Sequence, residues 1–236
     1  MEPLQPGHLQ PAYVLHARDY RDTSLLIDFF TPAHGRVAAV ARGARSVRRG
    51  SSQRAILQPG QPLWVSMVGS GELKSLRDAE VRAPAWPLRG QRLFSALYLN
   101  ELLSRLLHRD DAHIALFSDY ENTLQQLAGS ELLDIVLRHF ELRLLDELGY
   151  ALVLDQVADS GEPVAASRLY QLDAQGGLIE VCGRSAAGIA GAAILDFLAG
   201  NYSLEARRAL KHLCRRALRL HLGPKPLRSR ELFGTS

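Results

Sequence analysis

The residues with the clearest chemical potential are arginines in a segment that lacks acidic side chains. From Phe29 to Gly71 the chain contains no Asp or Glu. Guanidinium and ammonium groups attract phosphates, and each phosphate contact releases bound counterions. A solvated cationic loop is the alternative interpretation. The predicted nucleic-acid-binding residues are those of this segment and two that follow it: Arg36, Arg42, Arg45, Arg48, Arg49, Arg54, Lys74 and Arg77.

Aromatic side chains near these cations can stack on bases. Tyr20 lies among charged residues in the turn formed by residues 18–21, which favours an exposed ring that is available for stacking. Phe29 and Trp64 lie in strand-like runs instead. Because a small barrel must fill its own interior, both are predicted to belong to the core.

A second candidate site lies on the predicted helix at residues 131–148. At 100° per residue, three apolar side chains surround Arg138 on a side separate from the main core stripe. An apolar island that holds a cation suits an acidic peptide with a hydrophobic end. The alternative is that another helix covers this side and that Arg138 pairs with Asp134 or Asp146. The predicted partner-binding residues are Ile135, Arg138, Leu142, Arg143 and Leu145.

Patterns typical of catalysis or metal binding are weak. The sequence contains no phosphate-binding loop of the form G-x-x-x-x-G-K-[ST] and no H-E-x-x-H motif. Cys182 and Cys214 are the only cysteines, too few for a four-cysteine zinc site, and we interpret both as structural. We therefore predict no catalytic residue, no cofactor and no metal. An enzyme would need an acid–base site that the sequence does not indicate.

The elements that must position these residues change in character along the chain. Five strand-like runs, at residues 13–18, 24–30, 36–42, 62–68 and 72–77, predict a small closed barrel of the OB-fold type. A proline-rich junction at 83–87 separates them from helical patterns at 93–108, 114–128, 131–148, 185–199 and 203–222. A hairpin is predicted from runs 167–172 and 177–181. The fold class is therefore α+β, with a barrel domain at 1–82 and a helical domain at 83–236 that carries an insert near 155–183.

Composition limits the class of protein further. Hydrophobic residues make up 47% of the chain, which is enough for a packed core. The net charge is only +3, so basicity is a property of local patches. The most apolar stretch is interrupted by polar residues, and no signal peptide is apparent. We expect a cytoplasmic protein with no membrane partner.

Several blocks of sequence resemble one family in register. Residues 13–28, 35–45, 98–105, 140–150 and 161–163, and the ending at 222–233, are similar to those of the RecO family of recombination mediators. The resemblance covers nearly the whole chain. It implies an N-terminal OB-fold and a C-terminal helical domain, and non-enzymatic binding of single- and double-stranded DNA with annealing of complementary strands.

The resemblance also implies partners. Proteins of this family engage the acidic C-terminal tail of single-stranded DNA-binding protein and, with RecR, help load RecA. Some members carry a four-cysteine zinc site in the insert, but here the insert holds only Cys182, so zinc is not implied. The alternative from another class is an OB-fold protein that binds RNA or is linked to translation.

Overall fold

The chain divides into two compact units. The structure is a computed structural model, and it describes residues 8–45, 53–181 and 188–233. The first unit comprises Met1–Ser130 together with Pro226–Ser236, and the second comprises Glu131–Lys225. The first two helices therefore group with the barrel in this division, whereas the sequence predicts a boundary between residues 82 and 83. Among the described residues, no helix is both long enough and apolar enough to cross a membrane.

The first unit contains a closed five-stranded barrel, as the sequence predicts. Its strands are β1 (Gln10–Tyr20), β2 (Ser24–Thr31), β3 (Gly35–Ala41), β4 (Pro62–Val68) and β5 (Leu73–Val81). Around the barrel the order is β1-β2-β3-β5-β4, with β3 and β5 parallel and the other pairs antiparallel. Side chains alternate along each strand, so every second residue faces the interior. The buried cluster inside includes Val14, Ile27, Phe29, Val65 and Met67.

Trp64 is an exception to the predicted core. Phe29 is fully buried, as predicted, but 38% of the surface of Trp64 is exposed. Its neighbours Leu63 and Val65 point inward, which forces Trp64 onto the outer face of β4. There its ring lies 6.0 Å from the guanidinium carbon of Arg82. The prediction that Trp64 fills the barrel is therefore wrong.

Two helices cover another part of the barrel's outer face. They are α1 (Gln91–Leu106) and α2 (Ile114–Ala128). Tyr13 packs edge-on against Tyr120 of α2, with ring centroids 5.1 Å apart. The Tyr120 hydroxyl donates a hydrogen bond to Oδ1 of Asn100 at 2.6 Å, and the Asn100 side chain in turn donates to the carbonyl of Val14 at 3.4 Å. A buried polar network thus joins α2, α1 and β1, and each of its members has a partner.

The start of β3 requires a glycine. Gly35 has φ +53°, and a Cβ added there would lie 1.8 Å from the carbonyl oxygen of Asp111, so only glycine fits.

A C-terminal 3-10 helix, Arg228–Phe233, completes the first unit. It binds α1 through Glu101, whose carboxylate accepts hydrogen bonds from the backbone N–H groups of Arg228 and Ser229 and from the Ser229 hydroxyl.

The second unit combines three helices with a small sheet. The helices are α3 (Leu133–Glu147), α4 (Gly191–Leu198) and α5 (Leu204–Leu222), and the strands are β6 (Val153–Val157), β7 (Leu169–Leu172), β8 (Gly177–Glu180) and β9 (Ile189–Ala190). The sheet order is β6-β8-β7-β9, and β7 and β8 form the predicted antiparallel hairpin. Of the helix predicted at 185–199, residues 185–187 lie outside the described residues. In the described part α4 begins at Gly191, because Ile189 and Ala190 pair with β7 as a strand.

Candidate nucleic-acid interface

A groove on the barrel brings an aromatic ring and cations together. The barrel groove is the concave surface of about 220 Å³ lined by Tyr20, Arg21, Ser24, Arg42, Leu73 and Lys74, among others. Strand register accounts for its position. Tyr20 pairs with Ser24 across the β1–β2 turn, while Val40, two residues before Arg42, pairs with Ser75 of β5. The groove therefore lies where the β1–β2 turn, the end of β3 and the start of β5 meet.

The ring of Tyr20 is held at the edge of this groove. Tyr20 is half-buried, and the guanidinium carbon of Arg21 lies 5.2 Å from its ring centroid. Arg21 has φ +50°, an uncommon conformation for a residue that is not glycine, and this conformation turns the chain tightly between β1 and β2. An aromatic ring and a cation in one shallow groove can contact a base and a phosphate of the same strand.

The predicted cations fall into three groups. Arg42 and Arg77 are exposed, and neither forms an ion pair with any residue in the described ranges. Arg77 lies at the bulge in β5, two residues beyond Ser75. Arg48 and Arg49 lie outside the described residues. The remaining four cations, Arg36, Arg45, Arg54 and Lys74, each lie near a carboxylate.

These carboxylates reduce the charge that the four cations present. Both Arg45 and Arg54 approach Asp19, with nitrogen–oxygen distances of 3.2 and 3.6 Å. Arg36 pairs with Asp28 at 2.9 Å on the outer face of the sheet. The ammonium of Lys74 lies 3.6 Å from Asp110, and only 8% of this side chain is exposed. The buried and paired Lys74 therefore presents little charge at the groove surface, and its contact with phosphate stays a prediction.

Arg21 and Ser24 also line the groove, although the sequence did not predict them as nucleic-acid-binding residues. The available signal was the charged turn at residues 18–22, which identified Tyr20 but did not indicate on which side Arg21 lies. Only the pairing of β2 with β3 and of β3 with β5 brings Arg21 close to Arg42 and Leu73. This is a non-local arrangement that periodicity along one strand does not contain.

Three of the residues predicted to form an exposed partner site on α3 are buried, so they do not form an exposed surface. Ile135, Arg138 and Leu145 are all buried, and Nη2 of Arg138 lies 2.5 Å from Oε1 of Glu141, which is also buried. The side of α3 that carries Arg138 therefore packs within the second unit, in which α3 contacts α5. The alternative of a covering helix is confirmed, but Arg138 pairs with Glu141 and not with Asp134 or Asp146.

The other two predicted partner residues line a separate groove. Leu142 and Arg143 belong to the helical groove, a concavity of about 730 Å³ that also includes His139, Val153, Phe197 and Leu198. Leu198 and Val153 are exposed apolar residues here, and the Arg143 side chain is exposed. Burial lowers the pKa of His139, so its ring is neutral near pH 7. The carboxylates of Asp146 and Asp155 also border this groove.

Metal binding and nucleophilic chemistry find little support in the described parts of the chain. Among the described residues, no group of three or more His, Cys, Asp or Glu side chains is arranged to hold a metal ion. Cys182 lies outside the described residues, and the absence of zinc stays a prediction. Burial raises the pKa of the Cys214 thiol well above its ordinary value, and the neighbouring Glu141 carboxylate adds to the shift, so this thiol is a poor nucleophile.

Comparison with known proteins gives a consistent result over both units. Residues 7–85 match the family model "Recombination protein O N terminal", and residues 88–231 match "Recombination protein O C terminal". The chain is 47% identical over 225 residues to the DNA repair protein RecO of Stutzerimonas stutzeri, covering 95% of this chain and 92% of that protein. It is 48% identical over 225 residues to the DNA repair protein RecO of Pseudomonas putida strain GB-1, covering 95% and 96%, respectively.

Proposed function

We propose that this chain, which belongs to the RecO family of DNA repair proteins, is a recombination mediator without catalytic activity. It binds single- and double-stranded DNA, anneals complementary strands and, with RecR, helps load RecA onto DNA coated with single-stranded DNA-binding protein. We place this activity in the cytoplasm, at the nucleoid. The observation that carries the proposal is the barrel groove, because OB-fold barrels commonly bind nucleic acids on this face and through the loops that border it.

The barrel groove supports a specific division of labour. Tyr20 stacks on one base. Arg21 stays over the Tyr20 ring and also contacts a neighbouring phosphate. Arg42 and Arg77, which lack ion-pair partners among the described residues, contact phosphates directly. Arg45 and Arg54 contribute once a phosphate competes with Asp19. Arg48 and Arg49 belong to the same acid-free segment and extend the contact to further phosphates.

The acidic tail of single-stranded DNA-binding protein is assigned to the helical groove. A tail that is acidic and ends in a hydrophobic residue needs an apolar recess and a nearby cation. Leu142, Phe197 and Leu198 line such a recess, and Arg143 lies beside it. Ile135 and Leu145 cannot serve, since both are buried. This assignment replaces Arg138 by Arg143 as the cation that meets the tail.

One exposed leucine tests the tail site with little risk to folding. Leu198 is 46% exposed, so Leu198→Asp should leave the unit folded while placing a negative charge in the recess. Burial of one apolar side chain contributes roughly 1.5–3 kcal/mol, which corresponds to a loss of about 10- to 100-fold in tail-peptide affinity. Leu204→Asp is the matched control, because Leu204 is 51% exposed and lies outside the groove. Equal peptide affinity in the two variants would contradict the assignment.

The choice between DNA and RNA is tested at Tyr20. Fluorescence anisotropy should compare a single-stranded DNA with an RNA of the same sequence, using wild type, Tyr20→Ala and the control Tyr150→Ala. Stacking contributes about 1–3 kcal/mol per base, so Tyr20→Ala should weaken DNA binding by about 5- to 100-fold and slow annealing of complementary strands. Tyr150 is 46% exposed in the second unit, and its removal should change neither property. Tighter binding of RNA than of DNA would favour the alternative, an RNA-binding or translation-linked protein.

A further inference from the structure

The last helix of the second unit presents an unusually uniform cationic face. Glu205 is the only carboxylate of α5, whereas six Lys and Arg residues occur along its 19 residues. At 100° per residue, Arg208, Lys211, Arg216 and Arg219 fall within about 140° of one another. All four are exposed, while the opposite arc, which includes Leu210 and Leu213, is buried. The cations therefore share one side of a helix that the core holds firmly.

The charge of this face is not neutralised by the described parts of the chain. Arg208, Lys211, Arg216 and Arg219 form no ion pair with any residue in the ranges 8–45, 53–181 and 188–233. Asp134, the nearby carboxylate of α3, is paired with Arg207 at 2.7 Å. Burial lowers the pKa of Lys211, the cations Arg215 and Arg138 lower it further, and the carboxylates Asp134 and Glu141 act in the opposite direction. A bound anion would reduce the repulsion among the cations of this face.

The shape and chemistry of the face indicate which anion it suits. From Arg208 to Arg219 the helix rises about 16 Å, which is long enough for its cations to contact successive phosphates of one strand. No Phe, Tyr or Trp occurs in α5, and the one ring among these cations is that of the exposed His212. The four cations suit a row of phosphates, whereas the barrel groove places the ring of Tyr20 beside its cations.

We propose that the exposed face of α5 formed by Arg208, Lys211, Arg216 and Arg219 is a second DNA-binding site, which holds the phosphate backbone of a second strand. The inference rests on the proposed function, because a second strand matters for annealing only when the barrel holds the first. A protein with two such sites brings two strands together without reading either sequence. The phosphodiester backbone is the recognised group, so the strands need not be complementary to bind.

The test counts strands on one protein molecule. Two non-complementary oligo-dT strands of about 12 nucleotides, within the site size of one OB-fold, carry different fluorophores and are supplied in excess. Sedimentation velocity at both wavelengths then gives the stoichiometry. Wild type should form a complex of one protein with two strands. The variant Arg208→Gln/Arg216→Gln/Arg219→Gln should bind one strand normally and the second far more weakly.

The size of the effect follows from the counterions released. Three phosphate contacts at about 0.7 counterions each correspond to a loss on the order of 100-fold in second-strand affinity at 0.1 M salt. Arg207→Gln is the control on the same helix, since Arg207 is already paired with Asp134, and it should keep two strands. Because the substituted arginines are exposed, circular dichroism should show unchanged folding in each variant.

The outcomes separate the two proposals. A wild-type complex that never exceeds one strand, or a triple variant that still binds two, would overturn the second site. Selective loss of acidic-peptide binding in the triple variant, with both strands retained, would assign the face to a protein partner instead. If wild type binds no strand at all, the proposed function itself fails.

Discussion

The buried ion pair on α3 leads to a prediction that separates folding from partner binding. Arg138 and Glu141 are 5% and 0% exposed, and their charged groups are 2.5 Å apart. Nε and Nη1 of Arg138 have no hydrogen-bond partner among the described residues, so the pair satisfies the guanidinium only in part. Arg138→Ala would remove the guanidinium that pairs with the Glu141 carboxylate and leave that carboxylate buried.

The expected cost is large because the remaining charge cannot reach water. Breaking a buried pair by removing one partner typically costs about 3–5 kcal/mol, so Arg138→Ala should reduce the free energy of unfolding of the second unit by that amount. Removing both charges is different. The double variant Arg138→Met/Glu141→Leu exchanges the pair for apolar groups of similar size, and such exchanges are often neutral or stabilising by about 1–4 kcal/mol. The double variant should therefore be clearly more stable than Arg138→Ala.

Urea denaturation of wild type, Arg138→Ala and the double variant measures their free energies of unfolding. Hydrogen exchange of the α3 and α5 amides then shows whether the loss of stability lies in the second unit. Where Arg138→Ala stays folded, its affinity for the tail peptide should equal that of wild type, since the helical groove does not include Arg138. Stability within 0.5 kcal/mol of wild type would refute the reasoning, as would a double variant no more stable than the single one.

Three further predictions concern single contacts. Glu101→Gln should cost roughly 1 kcal/mol at pH 7. Burial raises the pKa of Glu101, but hydrogen bonds from Ser229 and Arg228 and the charge of Arg105 together bring it below its ordinary 4.5. The carboxylate therefore stabilises the fold above pH 4.5 and stops doing so as the pH falls through the lower folded value, so acid titration should show less pH dependence in the variant. Gly35→Ala should lower stability in urea by at least about 2 kcal/mol, because φ is +53° and Asp111 obstructs a Cβ; an unchanged midpoint would contradict this. In a Cys182→Ser background, iodoacetamide at pH 8 should label Cys214 only in denaturant, because burial raises the thiol pKa; labelling of folded protein would contradict that burial.

Local periodicity accounts for most of what the sequence predicted correctly. The alternation in β4 predicts its bounds, Pro62–Val68, and the apolar spacing of α2 predicts Ile114–Ala128, because both patterns follow from backbone geometry alone. Trp64 was predicted to lie in the core, but the alternation itself did not indicate this. Alternation placed it opposite Leu63, and only the assumption that a large aromatic residue belongs inside made it a core residue.

What the sequence could not predict depends on contacts between distant segments. The face of α3 that holds Arg138 looks like an exposed apolar island on a single helix. Whether another element covers it depends on α5, some 70 residues later, and no local pattern contains that information. In the barrel, likewise, residues distant in sequence determine which cations pair with a carboxylate and which do not. Asp19 reaches Arg45 and Arg54, and Asp110 reaches Lys74, only after the strands have paired.

The salt dependence of single-stranded DNA binding tests the central claim most directly. The slope of log K against log salt concentration should be compared between wild type and Arg42→Gln/Arg77→Gln, with Arg89→Gln/Arg168→Gln as a control that removes the same charge elsewhere. Two phosphate contacts at about 0.7 each predict a slope shallower by about 1.4 in the barrel variant and nearly unchanged in the control. A barrel variant with the slope of wild type would show that Arg42, which lines the groove, and Arg77, at the bulge in β5, do not hold the strand.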